Sequence, residues 1–304
     1  FLKNYDMSKP SPPQPELTQF LNKGWKDVKV AYNRRDLITY AIGIGAQDLK
    51  FTYEGNSEFQ MFPTYPFVLA FKGADQDVVQ FPSEAMVAAN TNPPIRGIRT
   101  GLDGQRSIEI INPLPAEGGE FILRNRLLSV SGKPKGAVVE SESVVTDASG
   151  KEYVRMLQGT FLVGPKGVGS AGKPCFAKVP KPSREPDAVI EYTTLKNQAH
   201  IYRLSGDYNP LHIDPKFAKF GGFKEPILHG LCSLGFSTRA VVEKYGDIKG
   251  VSLRFASPVY PGETLVISMW KEGSKVLFST SVKERNKVVI DNAYATLAAP
   301  TAKL

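Results

Sequence analysis

The chain has 304 residues, 41% of them hydrophobic, a formal net charge of +8 and only three histidines. That length allows one large domain or two of ordinary size, and the apolar content suffices for a sizeable core. No apolar run approaches a membrane span and no signal-peptide pattern is visible; the positive charge comes without a zinc spacing or an RNA-binding aromatic motif, so neither a membrane span nor a nucleic-acid partner is expected.

Residues 1–15 are poor in hydrophobics and end in Pro10-Ser-Pro-Pro-Gln-Pro15, a composition that extends as polyproline and reads as a tether. The chain begins with Phe1 rather than Met, so it is expected to be cut from a longer polypeptide. Residues 16–163 follow as a first unit. Its later part carries strand patterns near Gly119–Val130, Ala137–Thr146 and Tyr153–Val163, punctuated by Gly132 and by Ser149-Gly150. Residues 164–186 are rich in Gly, Pro and Lys and read as a basic linker with Lys166, Lys173, Lys178, Lys181 and Arg184. A solvated loop explains such a run; attraction for a polyanionic ligand is the sharper alternative.

Residues 187–300 form the second unit. Apolar or small residues recur at Leu231, Leu234, Gly235, Thr238, Val242 and Tyr245, a spacing that predicts a helix with one buried face. Strands are predicted at Val251–Ala256, Thr264–Trp270, Lys275–Lys283 and Lys287–Leu297, separated by Pro261-Gly262, Glu272-Gly273 and Arg285-Asn286. Cys175 falls in the linker and Cys232 in the predicted helix, an arrangement that argues against a disulfide framework.

The two units read as one pattern written twice. Tyr40-Ala-Ile-Gly-Ile-Gly-Ala-Gln-Asp48 matches Ile201-Tyr-Arg-Leu-Ser-Gly-Asp-Tyr-Asn209. Phe62-Pro-Thr-Tyr-Pro-Phe-Val-Leu69 matches Glu225-Pro-Ile-Leu-His-Gly-Leu-Cys232, and the segment from Ile108 to Gly118 matches that from Leu253 to Gly262. Each copy is expected to be a long helix wrapped by a curved antiparallel sheet, an α+β arrangement, with the copies side by side in one continuous sheet. Setting Gly45 against Gly206 puts Ala46 opposite Asp207 and Phe51 opposite His212; setting Pro63 against Pro226 puts Pro66 opposite His229. The second copy holds ionisable groups where the first is apolar. One copy should therefore carry chemistry while the other is released to accommodate something apolar, with Tyr65, Phe67 and Phe71 either lining that space or forming plain core.

The chemistry-bearing stretch is Gly206-Asp-Tyr-Asn-Pro-Leu-His-Ile-Asp-Pro215, followed by Glu225-Pro-Ile-Leu-His-Gly230. Asp, Asn and Pro make a good turn without any further role. A carboxylate and an imidazole brought together can also hold a water and move its proton, and a Gly at a helix start can present a bare N–H to a developing oxyanion. These residues resemble the signature of the MaoC-like, or type 2, enoyl-CoA hydratases. The resemblance covers the chain from about residue 20 onward.

It implies a double hot-dog fold and hydration of trans-2-enoyl-CoA to (3R)-3-hydroxyacyl-CoA in fatty acid β-oxidation, with no metal or redox cofactor. On this sequence the family's catalytic Asp and His fall on Asp207 and His212, its Asn on Asn209, and its oxyanion N–H on Gly230. Tyr208, His229 and Arg254 are candidate substrate-binding or supporting residues, and the linker cations are candidates for the CoA phosphates. The resemblance also implies an upstream (3R)-hydroxyacyl-CoA dehydrogenase part in a longer protein. A homodimer is expected because the edge strands of such sheets need cover. The tail Ala302-Lys303-Leu304 is similar to the peroxisomal Ser-Lys-Leu address, which implies an import receptor as partner. An acyl-CoA thioesterase or dehydratase on the same fold, or a non-catalytic acyl-CoA carrier, remain alternatives.

Overall fold

The computed structural model describes residues 14–21 and 23–299. The expected tether, apart from Gln14 and Pro15, and the expected tail at 301–304 lie outside the described residues. In the first repeat, α1 (Thr18–Leu21) precedes β1 (Lys26–Asn33), α2 (Arg34–Gly43) and α3 (Leu49–Thr52). A 3-10 turn, Tyr65–Val68, runs directly into α4 (Leu69–Lys72), and α5 (Glu84–Ala89) leads to β2 (Thr100–Ile110), β3 (Gly118–Lys133), β4 (Gly136–Thr146) and β5 (Glu152–Val163). Past β6 (Ala171–Gly172), the second repeat has β7 (Ala188–Thr193), α6 (Gln198–Tyr202), α7 (Pro215–Phe220) and α8 (Gly230–Tyr245). It closes with β8 (Ile248–Phe255), β9 (Thr264–Glu272), β10 (Lys275–Val282) and β11 (Lys287–Leu297).

The strands form one 11-stranded sheet in the order β1-β3-β4-β5-β2-β8-β11-β10-β9-β7, with β6 added to β3. Read inward from either end, the two halves have the same order, so each strand of one repeat has a counterpart in the other. The repeats meet where β2 and β8 pair antiparallel, with Ser107 opposite Ser252 and Arg106 opposite Leu253. This is the α+β double hot-dog architecture.

Helix α8 is the central element of the second repeat. It is buried without interruption from Leu231 to Val241, and each fully buried Leu there contributes about 1.5–3 kcal/mol. The hydroxyl of Ser237 inside it is satisfied by Ser233 O at 2.8 Å and Thr280 Oγ1 at 2.7 Å, as burial of a polar group requires. Gly235 lets the end of α2 touch α8 directly: a Cβ there would lie 2.3 Å from Ile44 Cγ2. The main apolar core is shared, running from Val30 and Leu123 in the first repeat to Ile267 and Ala295 in the second.

The first repeat departs from the expectation of a long helix in each copy. Its counterpart to α8 is only the turn Tyr65–Val68 and the four residues of α4. Gly73, at φ 65°, ends it, and Asp75, Gln76 and Asp77 follow where a longer helix would need apolar residues. The linker crosses the sheet rather than hanging free. Cys175 N donates to Glu140 Oε2 on β4 at 3.0 Å, while Asn292 of β11 accepts from Val179 N and donates to Ala177 O. Both cysteines are free.

Candidate active site

The Asp/Asn/Pro loop is built by its own side chains. After α6 the chain makes a 3-10 turn, Arg203–Ser205, and leaves it at Gly206 with φ 127°, a conformation that glycine adopts readily. Asp207 Oδ1 accepts from Asn209 N at 3.2 Å, and Asn209 Oδ1 accepts from Leu211 N at 3.1 Å, opening the turn Pro210–His212. Asp214 then caps α7 by accepting from Lys216 N at 2.7 Å. The turn reading of these residues is thus correct as far as it goes. The carboxyl of Asp207 and the amide of Asn209 are partly occupied in holding the loop, and the loop in turn fixes His212.

His212 and His229 stack, with ring centroids 3.7 Å apart. Each has one nitrogen on a backbone carbonyl: His212 Nδ1 on Ile227 O at 2.8 Å, and His229 Nε2 on Asp207 O at 3.1 Å. A carbonyl only accepts, so those nitrogens carry the protons. Neutral His212 therefore keeps its lone pair on Nε2. Burial pushes the Asp207 carboxyl above the usual carboxylate range, against the pull of His212, and pushes His212 below the ordinary histidine value, against the pull of Asp207. Burial, reinforced by His212, holds His229 well below it. The three side chains bring a potential ligand atom each to within 4.8 Å of one another. With two of the four imidazole nitrogens committed to carbonyls, the cluster suits proton exchange between a carboxyl and a neutral imidazole.

Asp207, Asn209, His212 and Gly230 line one cavity of about 920 Å³. Gly230 opens α8, whose N-terminus has no side-chain cap. Its N–H has no acceptor among the described residues, so it is free to donate into the cavity with the helix dipole behind it. Arg254 borders the same cavity but is held by Asp291, Nε to Oδ1 at 2.8 Å and Nη2 to Oδ2 at 2.5 Å.

Two candidates stand apart from the cavity. Tyr208 is packed under the Arg203 guanidinium, and His229 lies behind His212; neither is among the lining residues. Tyr208 contacts the start of the loop and His229 the His212 ring. No linker residue lines the cavity either; Arg184 is engaged with Asp187, and Lys181 lies over Trp270.

The far wall of the cavity comes from the first repeat. Phe67, Phe71, Met86, Leu123 and Met156 supply its apolar surface, whereas Tyr65 is fully buried core. The space lies over β2 to β5, where the shortened helix leaves the sheet uncovered. An ion pair that the sequence reading passed over also lines it: Arg106 Nε contacts Asp103 Oδ1 at 3.0 Å and Oδ2 at 2.9 Å. Its signal was two ionisable groups within a strand at a bulge between Asp103 and Gln105.

Comparison with known proteins finds a family match for each repeat. Residues 30–164 match the model of the MFE-2 hydratase 2 N-terminal domain, and residues 177–293 that of the MaoC like domain. The chain is 42% identical over 90% of its length to peroxisomal multifunctional enzyme type 2 of Drosophila melanogaster, but spans only 47% of that protein. It is 38% identical to the peroxisomal enoyl-CoA hydratase 2 of Arabidopsis thaliana, over 87% of this chain and 90% of the relative. Among solved structures, a MaoC-like dehydratase from Phytophthora capsici superposes with a TM-score of 0.89 at 41% identity, over 95% of this chain and all of that one. Two family models that together span most of the chain, and relatives 42% and 38% identical over nearly its whole length, make the chain a member of the MaoC-like hydratase 2 family.

Proposed function

We propose that the chain hydrates trans-2-enoyl-CoA to (3R)-3-hydroxyacyl-CoA in peroxisomal fatty acid β-oxidation, as a hydro-lyase. One observation carries the reading: Asp207, His212 and the free amide of Gly230 border a single cavity. Relatives named as enoyl-CoA hydratase 2, in Arabidopsis thaliana and as a probable enzyme in Dictyostelium discoideum, support the reaction class. The thioester carbonyl lies at Gly230 N–H, which stabilises the enolate oxygen as charge develops there. A water held between Asp207 and His212 loses a proton to the pair and attacks C3. The pair then returns a proton to C2 from the same side, restoring the thioester carbonyl. The two groups titrate together, so their proton-accepting capacity belongs to the pair.

The second repeat, residues 187–300, carries this chemistry, and the first, residues 16–163, receives the acyl tail in the space over β2 to β5. Arg254 stands at the cavity with its guanidinium oriented by Asp291, where it serves the CoA moiety. In the longer protein the chain follows a (3R)-hydroxyacyl-CoA dehydrogenase part and is delivered by a peroxisomal import receptor. A homodimer covers the sheet ends at β1 and β7.

Chiral analysis of the hydroxyacyl-CoA formed from a straight-chain enoyl-CoA tests the reading. An (R) product supports it; an (S) product, or thiol release from saturated acyl-CoA at a comparable rate, sinks it.

A further inference from the structure

We propose that the Asp103–Arg106 pair of β2 is a positioning element for the hydration, in which Arg106, oriented by Asp103, keeps the Asp207–His212 pair in its proton-accepting state. The inference rests on the hydratase reading of this site. Arg106 is 9% exposed, an unusual place for a guanidinium. Among the described residues only its Nε has an acceptor, Nη1 and Nη2 have none, and the residue lines the cavity. Its planar group lies over the Phe67 ring, 5.7 Å from the centroid. The residue after Phe67, Val68, has its carbonyl 3.6 Å from where a Cβ on Gly206 would stand, so Phe67 ties Arg106 to the loop that presents Asp207. On the other side, Arg106 pairs with Leu253 in β8, two residues from Phe255, whose ring lies 3.3 Å from where a Cβ on Gly230 would be. The cation is thus held between the two parts of the site.

His212 faces Asp207 from the turn Pro210–His212 and His229 from the start of α8. Tyr202 of α6 packs on the His229 ring, and burial, with a smaller push from Asp207, holds its phenol well above the ordinary value and so neutral. Arg106 favours the ionised form of Asp207 and Asp103 opposes it. Lys72 of α4 covers Gly206 with its alkyl chain, but its Nζ turns to Asp36 at 3.3 Å, and Arg203 lies over Tyr208. Arg106 is therefore the cation lining the cavity that Asp207 feels most directly. Removing it makes protonation of either member of the pair easier, and removing Asp103 makes it harder. The sign is the same whichever member accepts the water's proton.

The test is the pH profile of kcat/KM for a straight-chain enoyl-CoA, measured on the whole chain with Arg106→Gln, Arg106→Lys and Asp103→Asn. Arg106→Gln should move the acid limb up by roughly one pH unit, and Asp103→Asn should move it down. Arg106→Lys should restore the wild-type limb, and the losses should fall on kcat rather than KM. Thermal melts check folding; if Arg106→Gln does not fold, Asp103→Asn decides the matter by the direction of its shift. An active wild-type enzyme whose limb stays put in the variants overturns this inference alone. A wild type that hydrates no enoyl-CoA at any pH overturns the hydratase reading beneath it.

Discussion

The two repeats share a strand order and differ in what lies against it. In the second, sixteen residues of α8 cover the sheet, and its first residue, Gly230, borders the same cavity as Asp207 and His212. In the first, the matching helix stops at Lys72, and aligning the repeats by sequence sets Ala46 and Phe51 opposite Asp207 and His212. Ala46 and Phe51 line a small pocket of about 150 Å³, shared with Arg239 and Val242 of α8. The same helix that borders the candidate site also walls the small first-repeat pocket, and the shortened helix leaves space beside the candidate site. Chemistry and room are complementary products of one difference in helix length.

The largest effect should come from erasing the distinction. Asp207→Ala or His212→Ala should lower kcat for enoyl-CoA hydration by about 100- to 10,000-fold, with the melting temperature little changed. Adding Ala46→Asp and Phe51→His to either variant should recover nothing, since the first-repeat pocket is too small; recovered turnover would refute the small-pocket argument. Next comes the helix start. Gly230→Pro removes one N–H at a position where proline suits a helix, and kcat should fall by about 100- to 1,000-fold in steady-state assays. A change confined to KM would mean the amide does not meet the oxyanion.

A smaller effect probes the seam between α2 and α8. Gly235→Ala places a methyl into Ile44 and should cost about 1–3 kcal/mol in urea unfolding. The smallest is a pH effect on stability. His229 is held well below its ordinary value of 6.5, so below that pH the unfolded chain binds a proton that the folded chain refuses. Stability should therefore decline as pH falls through about 6.5, and His229→Gln should flatten that slope in melts at a series of pH values.

Much of this was legible in the sequence, for identifiable reasons. The strands β3 to β5 and β8 to β11 announced themselves by β-branched residues between turn signals, and α8 by its periodicity, whereas β1, β2, β6 and β7 went unread. Asp207, Asn209, His212 and Gly230 lie close in sequence, so a short motif brought them together before any tertiary contact was known. The short α4 was missed because Phe62–Leu69 matches the start of the second-repeat helix; the stop lies further on, at Gly73 and the acidic residues after it. The Asp103–Arg106 pair was missed because it reaches the site by sheet pairing across more than a hundred residues, and a strand carrying two charges reads as exposed. Arg254 was named as a candidate from sequence, but its tie to Asp291 depends on the register of β8 against β11.

The seam at Ser107 and Ser252 has a consequence for descent. An assembly of two identical hot-dog subunits must repeat every substitution on both sides of its axis, so shortening a helix to admit a bulkier guest would also remove the helix start proposed to meet the thioester. Once both copies lie on a single polypeptide, that obligation lapses. Each half can then change alone, so long as the shared edge between them keeps its register.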